Sequence, residues 1–426
     1  MTAVHIVGAG LSGLAAAIGL TRAGHKVVVY DQADHAGGRC RSFHDTVLGR
    51  RIDNGNHLLL SANRAAREYL ATVGAADSLV GPTRPAFPFV DLTTGRRWTV
   101  TFASGPLLGR VPLPPRGIPE VTFKQFLGAL RLRQAGPDAT VADCLDTAAP
   151  LYQRFWQPLA VAALNTACSE SAATLLWPVV AETVLRGGRN CRPLVAREGL
   201  SESFVDPAIK WLAARGATVN LGWRLRAIQF EGNRARVLDF AGDRRVAVDG
   251  AVVIALPPAS AQRALPGLEA PRASRAIVNG HFRIDGVVLP RLPFDSPLIG
   301  VLGGTAEWLF RRGDVVSVTV SAADALAEIE EQTIARRMWA DIVPALGLPA
   351  GMGLPAFRIV KEKRATFAQT PSELRRRPAT RTAWANLVLA GDWTDTGLPA
   401  TIEGAIRSGF AAAAAVADRP QEGWLR

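Results

Sequence analysis

Val4-His5-Ile6-Val7-Gly8-Ala9-Gly10-Leu11-Ser12-Gly13 is the stretch that decides the fold. Val4 to Val7 reads as a short buried strand, and the glycine-rich run after it leads into a helix over Leu14 to Arg22 that Gly24 stops. Val27-Val28-Val29-Tyr30 then reads as a second buried strand ending on Asp31, which completes a strand–helix–strand unit. Each position has a use. Gly8 permits a tight turn, Gly10 lets the backbone approach a pyrophosphate at the helix N-terminus, and Gly13 lets helix and strand pack closely. Ala9, Leu11 and Ser12 complete the loop, and Asp31 is placed to accept hydrogen bonds from ribose hydroxyls.

That unit alone leaves NAD and FAD open, and the residues beyond it point to FAD. Gly37-Gly38-Arg39 brings backbone close to a cofactor and offers a planar fork for phosphate oxygens or a carboxylate. Asp53-Asn54-Gly55-Asn56-His57 follows. Near the other end, Leu387-Val388-Leu389-Ala390 reads as a strand entering Gly391-Asp392-Trp393-Thr394, and Pro399-Ala400-Thr401-Ile402-Glu403 begins the last helix. A helix N-terminus at Ala400 and Thr401 would face the pyrimidine edge of a flavin, which carries negative charge when reduced.

Composition bounds the rest. The chain of 426 residues is 48% hydrophobic and 20% charged, long enough for two or three domains, and neither disordered nor collagen-like. Its formal charge is +12, and only five of 49 basic residues are Lys. No basic run, zinc-finger spacing or aromatic RNA-binding motif accompanies that charge, so nucleic acid is not an expected partner. Cys40, Cys144, Cys168 and Cys191 lack the close spacing of a metal knuckle or a redox dithiol, and the six histidines form no His-Glu-x-x-His pattern. Free thiols and no protein-bound metal are expected. Residues 3–21 carry no formal charge, yet no basic residue precedes Arg22, so the reading is a nucleotide loop rather than a targeting segment, in a cytoplasmic protein.

These motifs resemble the flavin amine oxidase and carotenoid desaturase superfamily. Gly216-Ala217-Thr218-Val219 followed by Leu225-Arg226-Ala227-Ile228 is similar to that group's second nucleotide-side strand, which implies adenine at the Leu225 backbone. Three stretches most resemble the bacterial hydroxysqualene dehydroxylases, also described as squalene-associated FAD-dependent desaturases: 54–60, 155–166, and 361–367 taken with 391–401. Asn56 is a departure where Gln is expected before the histidine, a swap of one neutral amide for another.

The resemblance implies an α/β chain in which a Rossmann-type FAD-binding domain of the amine oxidase fold (1–82, 195–270 and 378–426) is interrupted by a mixed α+β substrate domain (83–194 and 271–377). It implies that hydride from reduced flavin replaces an allylic hydroxyl of hydroxysqualene, a thirty-carbon isoprenoid, giving squalene. Such chemistry asks for an acid to protonate the departing hydroxyl, for apolar or aromatic walls, and for flavin against the reacting carbon. His57 is the first candidate acid and also a candidate cofactor or backbone contact, and Asp395 and Glu403 are the second choices; Glu403 better suits a structural role toward Arg39 or a backbone amide. Trp156, Trp177, Trp308 and Trp339 are candidate walls.

A substrate of this kind resides in membrane. Phe123, Phe126, Leu127 and Leu130 recur at helical spacing, with Lys124, Arg131 and Arg133 supplying charge, directly after the Pro106 to Pro119 stretch. That pattern fits either a surface helix touching anionic lipid or a helix capping the substrate domain with its apolar face inward. No second Gly-x-Gly-x-x-Gly follows a strand, so an external electron donor is expected. An oxidative carotenoid-type desaturase is the rival activity, and a flavin-containing membrane scaffold without turnover the rival of another class.

Overall fold

The computed structural model describes residues 2–103, 114–286 and 289–417. Its centre is a five-stranded parallel sheet in the order Thr218–Asn220, Lys26–Tyr30, Ala3–Val7, Val252–Ile254, Leu387–Leu389. Val252–Ile254 and Leu387–Leu389 are wholly buried apolar runs covered on both faces, whereas Thr218–Asn220 at the edge is partly exposed. Val7 pairs with Tyr30 on one side and Ile254 on the other, which brings Gly8, Asp31 and Ala255 to one carboxyl edge. Crevices at that edge are where open parallel sheets bind ligands.

The first helix spans Leu11–Arg22, three residues earlier than its apolar pattern indicates, because the last glycine of the motif already lies in its first turn. It packs on the final helix, Ile402–Ala417, at a backbone approach that excludes any side chain at Gly409, whose Cβ would lie 2.2 Å from the Ser12 carbonyl oxygen. Leu225 opens a separate antiparallel sheet of three strands, Leu225–Glu231, Arg234–Phe240 and Arg244–Ala247.

A second, seven-stranded sheet is ordered Phe357–Phe367, Ser274–Arg283, Val315–Val320, Trp308–Arg312, Leu298–Leu302, Ala86–Asp91, Arg97–Thr101. Alternation along its strands gives the two faces different chemistry. Val278, Phe282, Val316 and Val318 pack under helix Glu331–Leu346. In the neighbouring positions Asn279, His281, Ser317 and Thr319 form a buried polar strip, while Phe87, Phe89, Trp98 and Trp308 join an aromatic cluster with Phe126, Phe155 and Trp156 of the covering helices. Trp339 sits in the other core and donates from Nε1 to the Met352 carbonyl, so it is no part of a wall shared with Trp156 and Trp308.

The expected amphipathic helix is shorter than its pattern. Phe123–Leu127 is helical, and Gly128–Gln134 continues as a tighter 3-10 turn that keeps Phe126, Ala129 and Leu132 inward. Leu127 and Leu130 are 44% and 45% exposed, beside exposed Arg131 and Arg133. The side chains of Phe123 and Lys124, and residues 104–113 of the proline-rich stretch, lie outside the described residues. Among the described residues no helix is long and apolar enough to cross a membrane.

Candidate active site

The glycine loop has the shape of an anion cradle. A Cβ on Gly13 would lie 1.8 Å from the Gly8 carbonyl oxygen, and one on Gly8 would lie 2.3 Å from that of Ala255, so both glycines serve close packing. Gly10 is different: a Cβ there meets nothing within 4 Å, so its side-chain space opens away from the protein. Gly10 caps the helix without a side-chain hydrogen bond, and no acid stands in the first turn, which leaves a positive helix end facing that opening. Ala9 donates its amide to Asp31 Oδ2 at 2.7 Å and Ala33 to Oδ1 at 2.9 Å. Asp31 therefore locks the loop while retaining lone pairs for ribose. Gly38, at φ +59°, crosses within 3.4 Å of the Gly10 Cα as measured from its own ideal Cβ, forming the second lip. Trp223 donates its amide to the Asp31 carbonyl at 2.7 Å, which sets the strand beginning at Leu225 against the same edge. The cradle fits the pyrophosphate end of FAD.

Arg39 uses its fork within the protein. One arm donates to Asp392 Oδ2 at 2.8 Å and the other to the Ala365 carbonyl, so its partner is Asp392 rather than Glu403. Glu403 accepts the Ala65 and Ala66 amides at 3.1 and 2.9 Å and pairs with Arg407 at 2.8 Å. It is a structural carboxylate, as one of the two expected roles has it. Gly391, whose amide donates to Ser408 Oγ at 2.9 Å, bends the chain where any Cβ would lie 2.4 Å from the Trp393 indole nitrogen. The Ala400 amide is already taken by Gln369 Oε1 at 2.9 Å. Any contact from this helix start to a flavin therefore falls to Thr401 and Ile402, whose amides meet no acceptor among the described residues.

Asp53 to His57 lies across the polar strip of the second sheet. Asp53 is buried, accepting from Ser42 Oγ at 2.6 Å and pairing with Arg312 at 2.7 Å. Asn56 Nδ2 donates to Thr319 Oγ1 at 3.0 Å, Thr319 donates to Asn279 Oδ1 at 2.8 Å, and Asn279 Nδ2 reaches the Asn54 carbonyl at 3.4 Å. This neutral ring clamps the loop whatever the pH. Half-buried His57 follows it. Burial pushes the His57 imidazole down to about 4, against an opposing effect of Asp53 and with added lowering by Arg39. Burial thus favours the neutral form of this candidate acid. Asp395 is exposed, its carboxylate accepting the Gly397 amide at 3.3 Å, which does not suit an acid acting away from water. Leu58 and Leu60 pack on the aromatic cluster holding Trp156 and Trp308, with Trp177 at its margin. Asn279, Thr319 and Gln369 escape the sequence reading; strand alternation was the available signal for the first two, and nothing local marks Gln369.

A glycine cradle, an Arg39–Asp392 clasp and a second sheet built from separate stretches of the chain define a flavoenzyme of the amine oxidase type. The model of the flavin containing amine oxidoreductases matches residues 11–417, and the chain belongs to that family. Within the family it is similar to the hydroxysqualene dehydroxylase of Rhodopseudomonas palustris, 47% identical over 412 residues that cover 96% of this chain and 97% of the relative. The protein of that name from Zymomonas mobilis is 41% identical over 415 residues, covering 97% and 98%. A Synechococcus elongatus protein named probable zeta-carotene desaturase is 27% identical over 53% of this chain and 51% of its own. Among solved structures, the cyclohexylamine oxidase of Brevibacterium oxydans superposes with a TM-score of 0.71 at 17% identity over 98% of this chain and 99% of the other, a likeness of fold.

Proposed function

We propose that this FAD-dependent oxidoreductase removes the hydroxyl of hydroxysqualene reductively, giving squalene. The observation that carries the reading is the 41–47% identity to hydroxysqualene dehydroxylases along nearly the whole chain. The site is compatible with that chemistry. Bound and reduced, FAD supplies a hydride; with one proton, the substrate loses its hydroxyl as water and gains hydrogen at the same carbon, so charge and atoms balance. The chain's part is to hold the cofactor by the Gly8–Gly13 loop, Asp31, Gly38, the Leu225 segment, Gly391–Asp392 and the start of the last helix. Asn54 to His57 would flank the reacting region. The cluster of Phe126, Phe155, Trp156 and Trp308 supplies a dry wall in which an allylic cation escapes capture by water and faces ring π-electrons.

The division into a discontinuous cofactor domain and an inserted substrate domain is part of the same proposal, as are an external electron donor and a cytoplasmic location. Leu127 and Leu130 with Arg131 and Arg133 form the patch by which the substrate domain touches anionic membrane. Incubating the purified protein with hydroxysqualene and chemically reduced FAD in deuterated water, where N5 of the reduced flavin carries deuterium, tests the activity, and a parallel incubation with oxidised FAD tests the rival. With reduced FAD, squalene with deuterium at the former carbinol carbon is expected; with oxidised FAD, a product with an added double bond selects the oxidative desaturase, and bound flavin with no product in either incubation selects the scaffold. Vesicle binding that weakens with salt on anionic but not neutral lipid checks the patch.

A further inference from the structure

Arg377 is a buried guanidinium without a carboxylate partner. Only 8% of the residue is exposed, and no Asp or Glu lies within ion-pair distance of it among the described residues. Its donors go instead to the turn that precedes the last helix: Nη1 to the Leu398 carbonyl at 2.9 Å, and Nη2 to the Asp392 carbonyl at 3.3 Å, the Thr394 carbonyl, and Thr396 Oγ1 at 3.2 Å. The cation lies 5.4 Å from the centre of the Phe367 ring, and Nε is buried with no acceptor. Asp395 and Asp392 act on it only through space: neither pairs with it, Asp392 being committed to Arg39 and Asp395 lying in solvent.

Removing a guanidinium from water costs several kcal/mol, and carbonyl dipoles recover only part of that. A single-residue staple for the 391–398 turn needs hydrogen-bond donors, which a neutral amide also supplies. A net charge has a further effect: in a region of low dielectric it raises the potential over several ångströms around the turn. That turn runs into the helix Ile402–Ala417, whose start, with the Thr401 and Ile402 amides meeting no acceptor among the described residues, is a second positive end close in the chain.

We propose that Arg377 is a positioning residue whose uncompensated charge favours the reduced, anionic flavin over the oxidised one. The proposal rests on the reading that the 391–401 turn lies against the flavin. Arg377 touches no substrate; it acts through the turn it holds and through its field.

The test uses the full-length holoprotein, with Arg377→Lys keeping the charge and Arg377→Gln keeping donors without it. Oxidised FAD affinity is measured by fluorescence titration, and the two-electron midpoint potential by equilibration with a reference dye during dithionite reduction. Arg377→Gln is expected to hold oxidised FAD within about threefold of wild type yet lose at least tenfold of its preference for the reduced form, a fall of about 30 mV for two electrons. Arg377→Lys should retain the wild-type potential. Equal potentials in all three proteins overturn the proposal, and so does failure of both variants to fold or retain FAD, which would make Arg377 a staple alone. If the wild-type protein itself binds no FAD, the cofactor reading fails instead, a separate outcome.

Discussion

Gln369 Oε1 accepts the Ala400 amide at 2.9 Å while Gln369 Nε2 donates to the Leu164 carbonyl at 2.5 Å, so one side chain joins the substrate-covering helices to the turn before the last helix. Its backbone extends the joint, donating to Thr166 Oγ1 at 3.0 Å and accepting from the Ala172 amide at 2.8 Å. The side chain has no exposed surface. Every polar atom it carries is thereby committed to holding the helix Gln157–Leu164 and the start of the last helix in one arrangement.

Gln369→Leu leaves both the Ala400 amide and the Leu164 carbonyl without a partner. Each buried orphan costs roughly 1–3 kcal/mol. The expected result is a fall in unfolding free energy of about 2–4 kcal/mol together with weaker FAD binding, read by denaturant titration and fluorescence on the same samples. A variant that loses stability but binds FAD as before would separate the joint from the cofactor site.

Gly10 and Gly13 should respond oppositely to a side chain. Gly10 has extended backbone at φ −71° and open space at its Cβ, so Gly10→Val should fold with a wild-type melting temperature as apoprotein and fail to bind FAD. Gly13→Val places a branched side chain 1.8 Å from the Gly8 carbonyl and should destabilise the apoprotein itself. Thermal melts with and without FAD distinguish the two, and full FAD occupancy in Gly10→Val would show that the cradle holds something else.

The Gly8 to Asp31 unit was legible because its meaning is local: strand, turn and helix fall within about thirty residues, and period and glycine spacing carry them. The joints that complete the site are not local. Arg39 finds Asp392 at a separation of 353 residues, and Gln369 meets Leu164 across 205. No periodicity marks such pairs, so the sequence reading names Glu403 as the carboxylate for Arg39, where the fold supplies Asp392. His57 shows a different limit. Its position beside the cofactor loop could be read, but its charge depends on how much water the fold leaves around the ring, which sequence does not state.

His281 provides a pH test of the polar strip. It is 1% exposed, bonded through Nδ1 to Ser317 Oγ at 2.8 Å, and burial lowers its pKa from 6.5 to about 4. Above about pH 6.5 the ring is neutral in folded and unfolded chains alike; as pH falls toward 4 the unfolded chain takes up a proton that the folded one refuses. Stability should therefore decline across that window by up to roughly 3 kcal/mol from this group. His281→Gln should flatten the decline by as much as one proton, measured from urea unfolding between pH 4.5 and 7. An unchanged slope would mean the ring is already solvated.

The proposed role of His57 as the acid for the departing hydroxyl turns on the charge of its ring. An imidazole with a pKa near 4 is neutral at pH 7 and is a poor proton donor, so its suitable task is to donate or accept a hydrogen bond next to Asn56, which Thr319 and Asn279 clamp. His57→Gln, neutral and still able to donate and accept, should then retain activity within about tenfold, and kcat should show no titration assignable to this residue between pH 5.5 and 8. His57→Ala should cost more than His57→Gln while leaving FAD bound. The opposite pattern restores the acid: both variants slowed by a hundredfold or more, with the wild-type rate falling as pH rises through 6 to 7 and that step absent from the variants. Substrate itself is one cause that would produce it, because a developing negative charge beside the ring raises the pKa that burial has lowered. Measuring kcat and kcat/KM separately against pH tells which state of the enzyme carries the proton, since the first reports the substrate complex and the second the free protein.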